Sequence, residues 1–328
     1  MRRCQRCTLP ETFPGAAIDG QGVCRYCRQA RSPKEDLAQR GKLEFRFSRL
    51  VERLRGRQSY DCLVSWSGGK DSTYVLTLLK QDYGLRPLAV TFDNGFLSPQ
   101  ALDNCRTVAN QLGVDHIIVA PKFDLLRRLF VSSVDSACFP RVALRRASSI
   151  CNACMGMNKL IALQLAQEKK IPFLAYGWSP GQIPIPSALL AYTPSLLQTI
   201  LQSTAASLQR LAGETLQAYL PDTGTTYPIE LYSVSPLGFL RYDEVQIRRR
   251  ISGLGWKPPD DTGPNSSNCL LNALASSIHY QQFGYHPYDM ELATLVRMGC
   301  IARGEALRRL EVAPDPALVA SIRTRLGL

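Results

Sequence analysis

The sequence predicts an α/β fold, a mainly parallel sheet covered by helices, with a small cysteine-rich knuckle before it and a helical C-terminal region after it. Three observations predict this. Short β-rich runs alternate with helix-length amphipathic stretches from Asp61 onward. A glycine turn, Ser67-Gly68-Gly69-Lys70-Asp71-Ser72-Thr73, joins the first such run to a helix-like segment, Tyr74 to Gln81. The first 29 residues hold four cysteines among prolines and glycines and cannot form an apolar core unaided.

In chain order, residues 1–29 form the knuckle. Cys4-x-x-Cys7 and Cys24-x-x-Cys27 are separated by 16 residues, the spacing of a tetrahedral four-thiolate Zn2+ site, and Pro10, Pro14, Gly15, Gly20 and Gly22 supply its bends. Residues 30–58 read as a helical linker. Its amphipathic stretch from Pro33 to Arg57 offers Leu37, Phe45, Phe47, Leu50, Val51 and Leu54 as buried positions.

Residues 59–240 read as the main nucleotide-binding domain, with strands at Asp61–Trp66, Pro87–Phe92, His116–Ala120 and Phe173–Tyr176. Their alternation with helices implies right-handed βαβ crossovers, and in such sheets ligands bind beyond the carboxyl ends of strands, where Ser67 and Asp93 would sit. After Gly177 a Pro- and Gly-rich stretch, Ser179 to Pro194, reads as a lid or as a domain connection. A long helix to about Leu220 and a return to the sheet over Ile229–Leu240 follow. Residues 241–328 are mostly helical and are expected to complete the site.

At 328 residues and 45% hydrophobic content the chain can bury a full core. No segment approaches the roughly 20 apolar residues of a membrane span, and none follows Met1-Arg2-Arg3-Cys4. A soluble, cytoplasmic protein without a membrane partner is expected, and a homodimer stays open. The net charge of +12, with Arg127-Arg128, Arg145-Arg146 and Arg248-Arg249-Arg250 as small clusters, suits a polyanionic partner such as a nucleic acid. A basic proteome or solvated helix faces would give the same count. Eleven cysteines, an odd number in a chain of this size, argue for reduced thiols, and six of them lie in three Cys-x-x-Cys pairs that point to metal.

The glycine turn reads as a phosphate site. Gly68 and Gly69 let the backbone approach an anion, the N–H groups of the helix start face it with a favourable dipole, Lys70 adds charge, and Ser67, Ser72 and Thr73 add hydroxyl donors. The Walker A spacing is absent. Asp71 is a candidate Mg2+ ligand, and Asp93-Asn94-Gly95 ends the second strand either as a ligand-lining turn or as a turn alone.

Cys151-x-x-Cys154 stands differently from the knuckle pairs. Ser148-Ser149 precede it like a helix cap and Met155 to Glu168 continues helically, so both thiols should lie near a helix N-terminus, where thiolate is favoured. Cys269 lies far along the chain in Asn265-Ser266-Ser267-Asn268-Cys269. Catalytic persulfide chemistry, a second zinc and unrelated buried cysteines all remain open for this trio. Cys62, Cys105 and Cys300 read as core cysteines, Cys138 as a bystander, and His279 and His286 as packed or hydrogen-bonded histidines, although His286 could assist proton transfer.

Ser67-Gly68-Gly69-Lys70-Asp71-Ser72 resembles the Ser-Gly-Gly-x-Asp-Ser signature of PP-loop ATP pyrophosphatases, whose fold is the adenine nucleotide alpha hydrolase-like sheet. The resemblance implies cleavage of ATP between the α- and β-phosphates, adenylation of a substrate oxygen and displacement of AMP by sulfur or nitrogen. It also places adenosine against Phe92, Asp93 and Asn94 and makes Gly177, at the end of the fourth strand, part of the nucleotide site. Cys151, Cys154 and Cys269, the last following Ser235-Pro236-Leu237, resemble the ligand trio of iron–sulfur PP-loop tRNA thiolation enzymes. That resemblance implies a [4Fe–4S] cluster with one open iron, a sulfur donor, and a substrate with an activatable amide or carbonyl oxygen. Lys70, Asp71 and the three cysteines would then carry the catalysis. Many tRNA-modifying relatives carry a His-Asn-x-Asp-Asp type segment where this chain has Gly177-Trp178-Ser179. Its first third, with Leu9-Pro10 and Gly22-Val23-Cys24, is similar to N-acetyl sugar amidotransferases, which implies an alternative: nitrogen transfer with ammonia from a partner glutaminase. A nucleotide- or nucleic-acid-binding module without catalysis is the third reading.

Overall fold

Apolar runs bounded by turn residues become six strands: β1 (Cys62–Ser65), β2 (Pro87–Phe92), β3 (Asp115–Val119), β4 (Phe173–Tyr176), β5 (Leu189–Tyr192) and β6 (Leu231–Val234). The computed structural model describes residues 1–135, 138–219 and 230–328. The strands form one sheet in the order β3-β2-β1-β4-β6-β5. All neighbours are parallel except β5, which closes one edge antiparallel to β6. Leu63 of β1 stands between Leu88 and Leu174, and Val64 between Ala89 and Ala175. A central strand covered on both faces reads as an unbroken apolar run, which is why β1 is plain in the sequence.

β5 was hidden within the Pro- and Gly-rich stretch after Ser179. It is a four-residue edge strand preceded by a 3-10 turn at Ile185–Ser187, and so short an antiparallel strand gives little periodic signal. The expected helix end at Leu220 and strand start at Ile229 lie outside the described residues.

The helices follow the alternation. α1 (Arg25–Arg28) closes the knuckle and α2 (Pro33–Leu54) follows it. α3 (Lys70–Gln81), α4 (Pro99–Leu112), α5 (Phe123–Ser132), α6 (Arg141–Leu144), α7 (Ser149–Glu168) and α8 (Pro194–Ala212) accompany the sheet. α9 (Glu244–Ser252), α10 (Leu271–Phe283), α11 (Asp289–Arg297), α12 (Arg303–Glu311) and α13 (Pro316–Leu326) make the C-terminal region. α3 starts four residues earlier than the sequence suggests, directly on the glycine turn.

A capping box opens α2, with Ser32 Oγ accepting from the Glu35 N–H and the Glu35 carboxylate accepting from the Ser32 N–H. Its second half buries Phe47, Leu50, Val51 and Leu54, but Leu37 and Phe45, expected to be buried, are exposed. Phe45 is two positions from Phe47 and so faces roughly the opposite side of the helix, and Leu37 lies in the half that carries no buried residue.

Two core layers sandwich the sheet. On one face Leu63, Leu88, Val90 and Leu174 pack with α5, α7, α8, α10 and α13; on the other Val64, Ala89, Phe173 and Ala175 pack with α2, α3, α4 and α9. A third cluster joins Leu9 and Phe13 of the knuckle to Tyr285, Met290 and Ala293. The knuckle is tied there by polar contacts as well: Arg303 donates to the Cys7 carbonyl from Nε at 2.7 Å and to the Cys4 carbonyl from Nη2 at 3.0 Å, and Arg3 pairs with buried Asp289 at 2.6 Å. Among the described residues no helix is long and apolar enough to cross a membrane.

Candidate functional site

The strand order reverses at β1. The chain leaves β1 for β2 and β3 on one side and returns to β4 on the other, so the crevice beyond the carboxyl ends of β1 and β4 is the switch point where α/β sheets bind ligands. Ser67–Thr73 and Gly177 both lie there.

Two glycines make the turn possible. Gly68 has φ +72°, and a Cβ on it would stand 2.2 Å from the Ala101 carbonyl oxygen. Gly177 lets the end of β4 touch the start of α3: a Cβ there would stand 2.5 Å from Ser72 N and Cα. Trp256 Nε1 donates to the Gly68 carbonyl at 2.9 Å and Trp66 Nε1 to Thr73 Oγ1 at 3.0 Å. Thr73 is fully buried and braces the turn from below; Ser67 and Ser72, with hydroxyls 3.1 Å apart, line it.

Lys70 and Asp71 engage each other. Lys70 Nζ donates to Asp71 Oδ1 at 2.7 Å and to Tyr242 OH at 2.8 Å, with Glu244 Oε1 at 3.6 Å. Arg309 Nη2 lies 2.8 Å from Glu244 Oε2. Burial works against the Glu244 carboxylate, but the Arg309 hydrogen bond and the charges of Lys70 and Arg309 hold its pKa at about 2. On the Gly177 side Ser179 Oγ donates to Glu291 Oε1 at 2.7 Å. Burial, with the charges of Asp71 and Glu244, pushes Glu291 up to about 7 against the opposing Ser179 hydroxyl and Lys70. Tyr242, Glu244 and Glu291 were not singled out from sequence, because nothing local marks residues that meet the turn only through tertiary packing.

Two of the three later cysteines meet at Asn94, and the third, one helical turn before Cys154, lies beside Asn272. The buried Asn94 side chain donates from Nδ2 to Cys154 Sγ and to Cys269 Sγ, each at 3.4 Å, while its Oδ1 accepts from the Phe96 N–H at 2.9 Å. Asn272 Nδ2 lies 3.9 Å from Cys151 Sγ. The sequence reading put the Asn94 backbone beside a nucleotide; the side-chain amide, which that reading did not address, contacts two sulfurs. Phe92 is part of the core cluster, and Asp93 Oδ1 accepts from the Gly95 N–H at 2.8 Å, closing the turn.

Ser148 Oγ caps α7 by accepting from the Cys151 N–H at 3.1 Å, as expected. The expectation of favoured thiolates is corrected. Burial outweighs the helix end and pushes Cys151 up to about 11, and it raises Cys154 and Cys269 as well. Thiolates here need a cationic partner.

The knuckle sulfurs are arranged for a single ion. Cys4, Cys7, Cys24 and Cys27 have all four sulfurs within 4.8 Å of one another, with Cys4–Cys27 at 3.8 Å and Cys7–Cys24 at 3.6 Å. Tetrahedral zinc with bonds of about 2.3 Å sets its sulfurs roughly 3.8 Å apart. Among the described residues this is the one cysteine, histidine or carboxylate set so gathered.

Cys62 and Cys105 are buried in the core, and Cys138 packs at its margin. His279 is buried against the rings of Phe283 and Tyr285, and His286 Nδ1 accepts from the Tyr288 N–H at 3.2 Å. Of the basic clusters, Arg250 pairs with Asp82, and Arg146 Nη1 donates to the Gln182 carbonyl at 3.0 Å.

A strand, the glycine turn and a helix follow one another at the switch point, as the motif's place in the sequence predicts. No protein-family model matches the chain. It is 25% identical over 269 residues to an uncharacterized protein of Methanocaldococcus jannaschii, covering 82% of this chain and 79% of that one. It is 32% identical over 87 residues to the glutamine-hydrolyzing GMP synthase of Pyrobaculum aerophilum, covering 26% of this chain and 17% of that protein.

Similar solved structures include the U34-tRNA thiolase NcsA of Methanococcus maripaludis with its [4Fe–4S] cluster, at TM-score 0.36 and 18% identity over 100% of this chain and 98% of that one. NMN synthetase of Francisella tularensis gives TM-score 0.39 and 14% identity over 91% and 98% of the two chains. The NH3-dependent NAD synthetase of Campylobacter jejuni gives 0.37 and 14% over 90% and 94%.

Proposed function

We propose that the protein is an ATP-dependent sulfurtransferase that adenylates a carbonyl or amide oxygen of its substrate and replaces that oxygen with sulfur. The observation that carries this reading is the Asn94 amide donating to both Cys154 and Cys269, with Cys151 one helical turn from Cys154 and beside Asn272, near a phosphate-type turn. The donor set suits a [4Fe–4S] cluster: three partly buried sulfurs with amide donors beside them. Held by Cys151, Cys154 and Cys269, such a cluster would supply an open iron able to carry sulfide.

The protein's own residues supply binding and charge. The Gly69 and Lys70 N–H groups and the hydroxyls of Ser67 and Ser72 would take phosphate oxygens, and Gly177 leaves the crevice clear for them. Mg2+ travelling with the triphosphate would find Asp71 as the turn's carboxylate once Lys70 turns from it to the phosphates. The substrate oxygen attacks the α-phosphorus and the bond to the bridging oxygen breaks, releasing pyrophosphate. Sulfide sulfur then adds to the activated carbon, the C–O bond to AMP breaks, and a thiocarbonyl remains. The knuckle would hold structural Zn2+.

The test supplies ATP, sulfide and candidate acceptors, including bulk tRNA and small amides, and follows AMP, pyrophosphate and the sulfur-for-oxygen mass change together. Equal amounts of all three support the reading. Pyrophosphate release that requires ammonia and gives an amidated product would replace it with nitrogen transfer.

A further inference from the structure

The stretch after Trp256 runs over the phosphate turn before it reaches Cys269. Trp256 holds the Gly68 carbonyl, and Ser267 Oγ accepts from the backbone N–H of Lys70 at 3.0 Å. A Cβ on Gly69 would stand 3.0 Å from Ser267 Oγ and 3.3 Å from Asn268 Oδ1, so both side chains sit in the mouth of the turn. The Lys70 N–H is the first of α3, whose N-cap, Gly69, offers no side-chain acceptor. A phosphate oxygen bound to the turn would want that same donor.

The next residues are bound to the sulfur site. Leu97 and Cys269 form an isolated antiparallel bridge; the Ser98 N–H donates to the Asn268 carbonyl and the Leu270 N–H to the Phe96 carbonyl, each at 2.9 Å. Phe96 in turn fixes Asn94, whose amide touches Cys154 and Cys269. One hydrogen-bonded path thus runs from the Lys70 amide through Ser267 to Cys269 and back to Asn94.

We propose that Ser267 is a positioning residue that couples occupancy of the turn to the setting of Cys269. The inference rests on the reading that ATP binds at this turn. Without nucleotide, Ser267 stands in for a phosphate oxygen and pins the 266–270 segment against α3. A phosphate, being charged, is the stronger acceptor, takes the Lys70 N–H, and releases Ser267. Cys269 then gains freedom only when the activating nucleotide is present, which keeps the sulfur site closed until there is an adenylate to receive sulfur.

The experiment is hydrogen exchange read by mass spectrometry on the full-length protein with and without a non-hydrolysable ATP analogue, with binding measured separately by calorimetry. In the wild type the analogue should slow exchange across 67–73 and speed it across 266–270 by about fivefold, the worth of one net hydrogen bond. Ser267→Ala should bind the analogue and protect 67–73, yet show fast exchange across 266–270 in both states. Ser267→Thr, which keeps the hydroxyl, should restore the nucleotide dependence. Binding with protection of 67–73 but no change across 266–270 in the wild type would overturn the coupling alone. Absence of binding by calorimetry would overturn the ATP reading and the coupling with it.

Discussion

Gly177 and Ser72 are in backbone contact distance: a single methyl on Gly177 would lie 2.5 Å from the Ser72 nitrogen and Cα, joining the end of β4 to the first turn of α3 without room for a side chain. Neither atom belongs to a flexible side chain that could swing away. Gly177→Ala should therefore displace the phosphate turn, cost about 2–3 kcal/mol of stability and weaken nucleotide binding by at least tenfold. Chemical denaturation and calorimetry check both numbers; a variant with unchanged ATP-analogue affinity would show that the crevice is used differently.

Asn94 gives a second prediction. Its amide donates to two sulfurs and its oxygen is fixed by Phe96, so Asn94→Leu keeps bulk but removes both donors. The variant should fold, because the lost hydrogen bonds are worth about 1 kcal/mol each, while any iron bound at the trio is held less firmly and its absorption spectrum shifts. Iron retention on a desalting column, against wild type, measures this.

Glu291 titrates out of its ordinary range. Its pKa rises from 4.5 to about 7 on folding, chiefly through burial. Below about pH 4.5 both folded and unfolded forms are protonated and the group costs nothing; between there and pH 7 the folded state holds the extra proton, so stability falls as pH rises. Glu291→Gln should flatten that fall and be more stable than wild type at pH 8 by on the order of 2 kcal/mol, its amide oxygen still accepting from Ser179. Urea melts of both proteins at pH 5 and pH 8 decide it; equal pH dependence would mean the carboxyl is better solvated than its surroundings suggest.

The knuckle should stabilise more than itself. Cys4 and Cys7 offer their carbonyls to Arg303, and Phe13 packs on Tyr285 with ring centroids 4.9 Å apart. Chelating any metal the four sulfurs hold, or replacing Cys24 with Ser, should expose that face and speed proteolysis within α10 to α12 as well as within residues 1–29. Cleavage confined to the first 29 residues would show that the C-terminal helices stand without it.

The parts of this protein written locally were legible from sequence. β2 and β4 fall where apolar runs end at turn residues, the Ser148 cap predicts the start of α7, and the knuckle spacing predicts four gathered sulfurs. What was illegible depends on distant partners. Asn94 reads as a ligand-lining turn or a turn alone until Cys154 and Cys269 are brought to it, and nothing local marks Ser267 until the Lys70 N–H lies against it. Cys151 shows the same limit for energetics: its place on the helix argues for thiolate, but burial, visible only in three dimensions, wins.

The central claim is that the Cys151, Cys154 and Cys269 trio holds a sulfur-carrying cluster and the knuckle a separate zinc. It is tested most directly by measuring iron, acid-labile sulfide and zinc per chain in protein purified without oxygen, beside a Cys151→Ala variant. The account predicts about four irons, four sulfides and one zinc in the wild type, with iron and sulfide lost and zinc kept in the variant. Zinc alone in the wild type, even after anaerobic reconstitution with iron and sulfide, would contradict it.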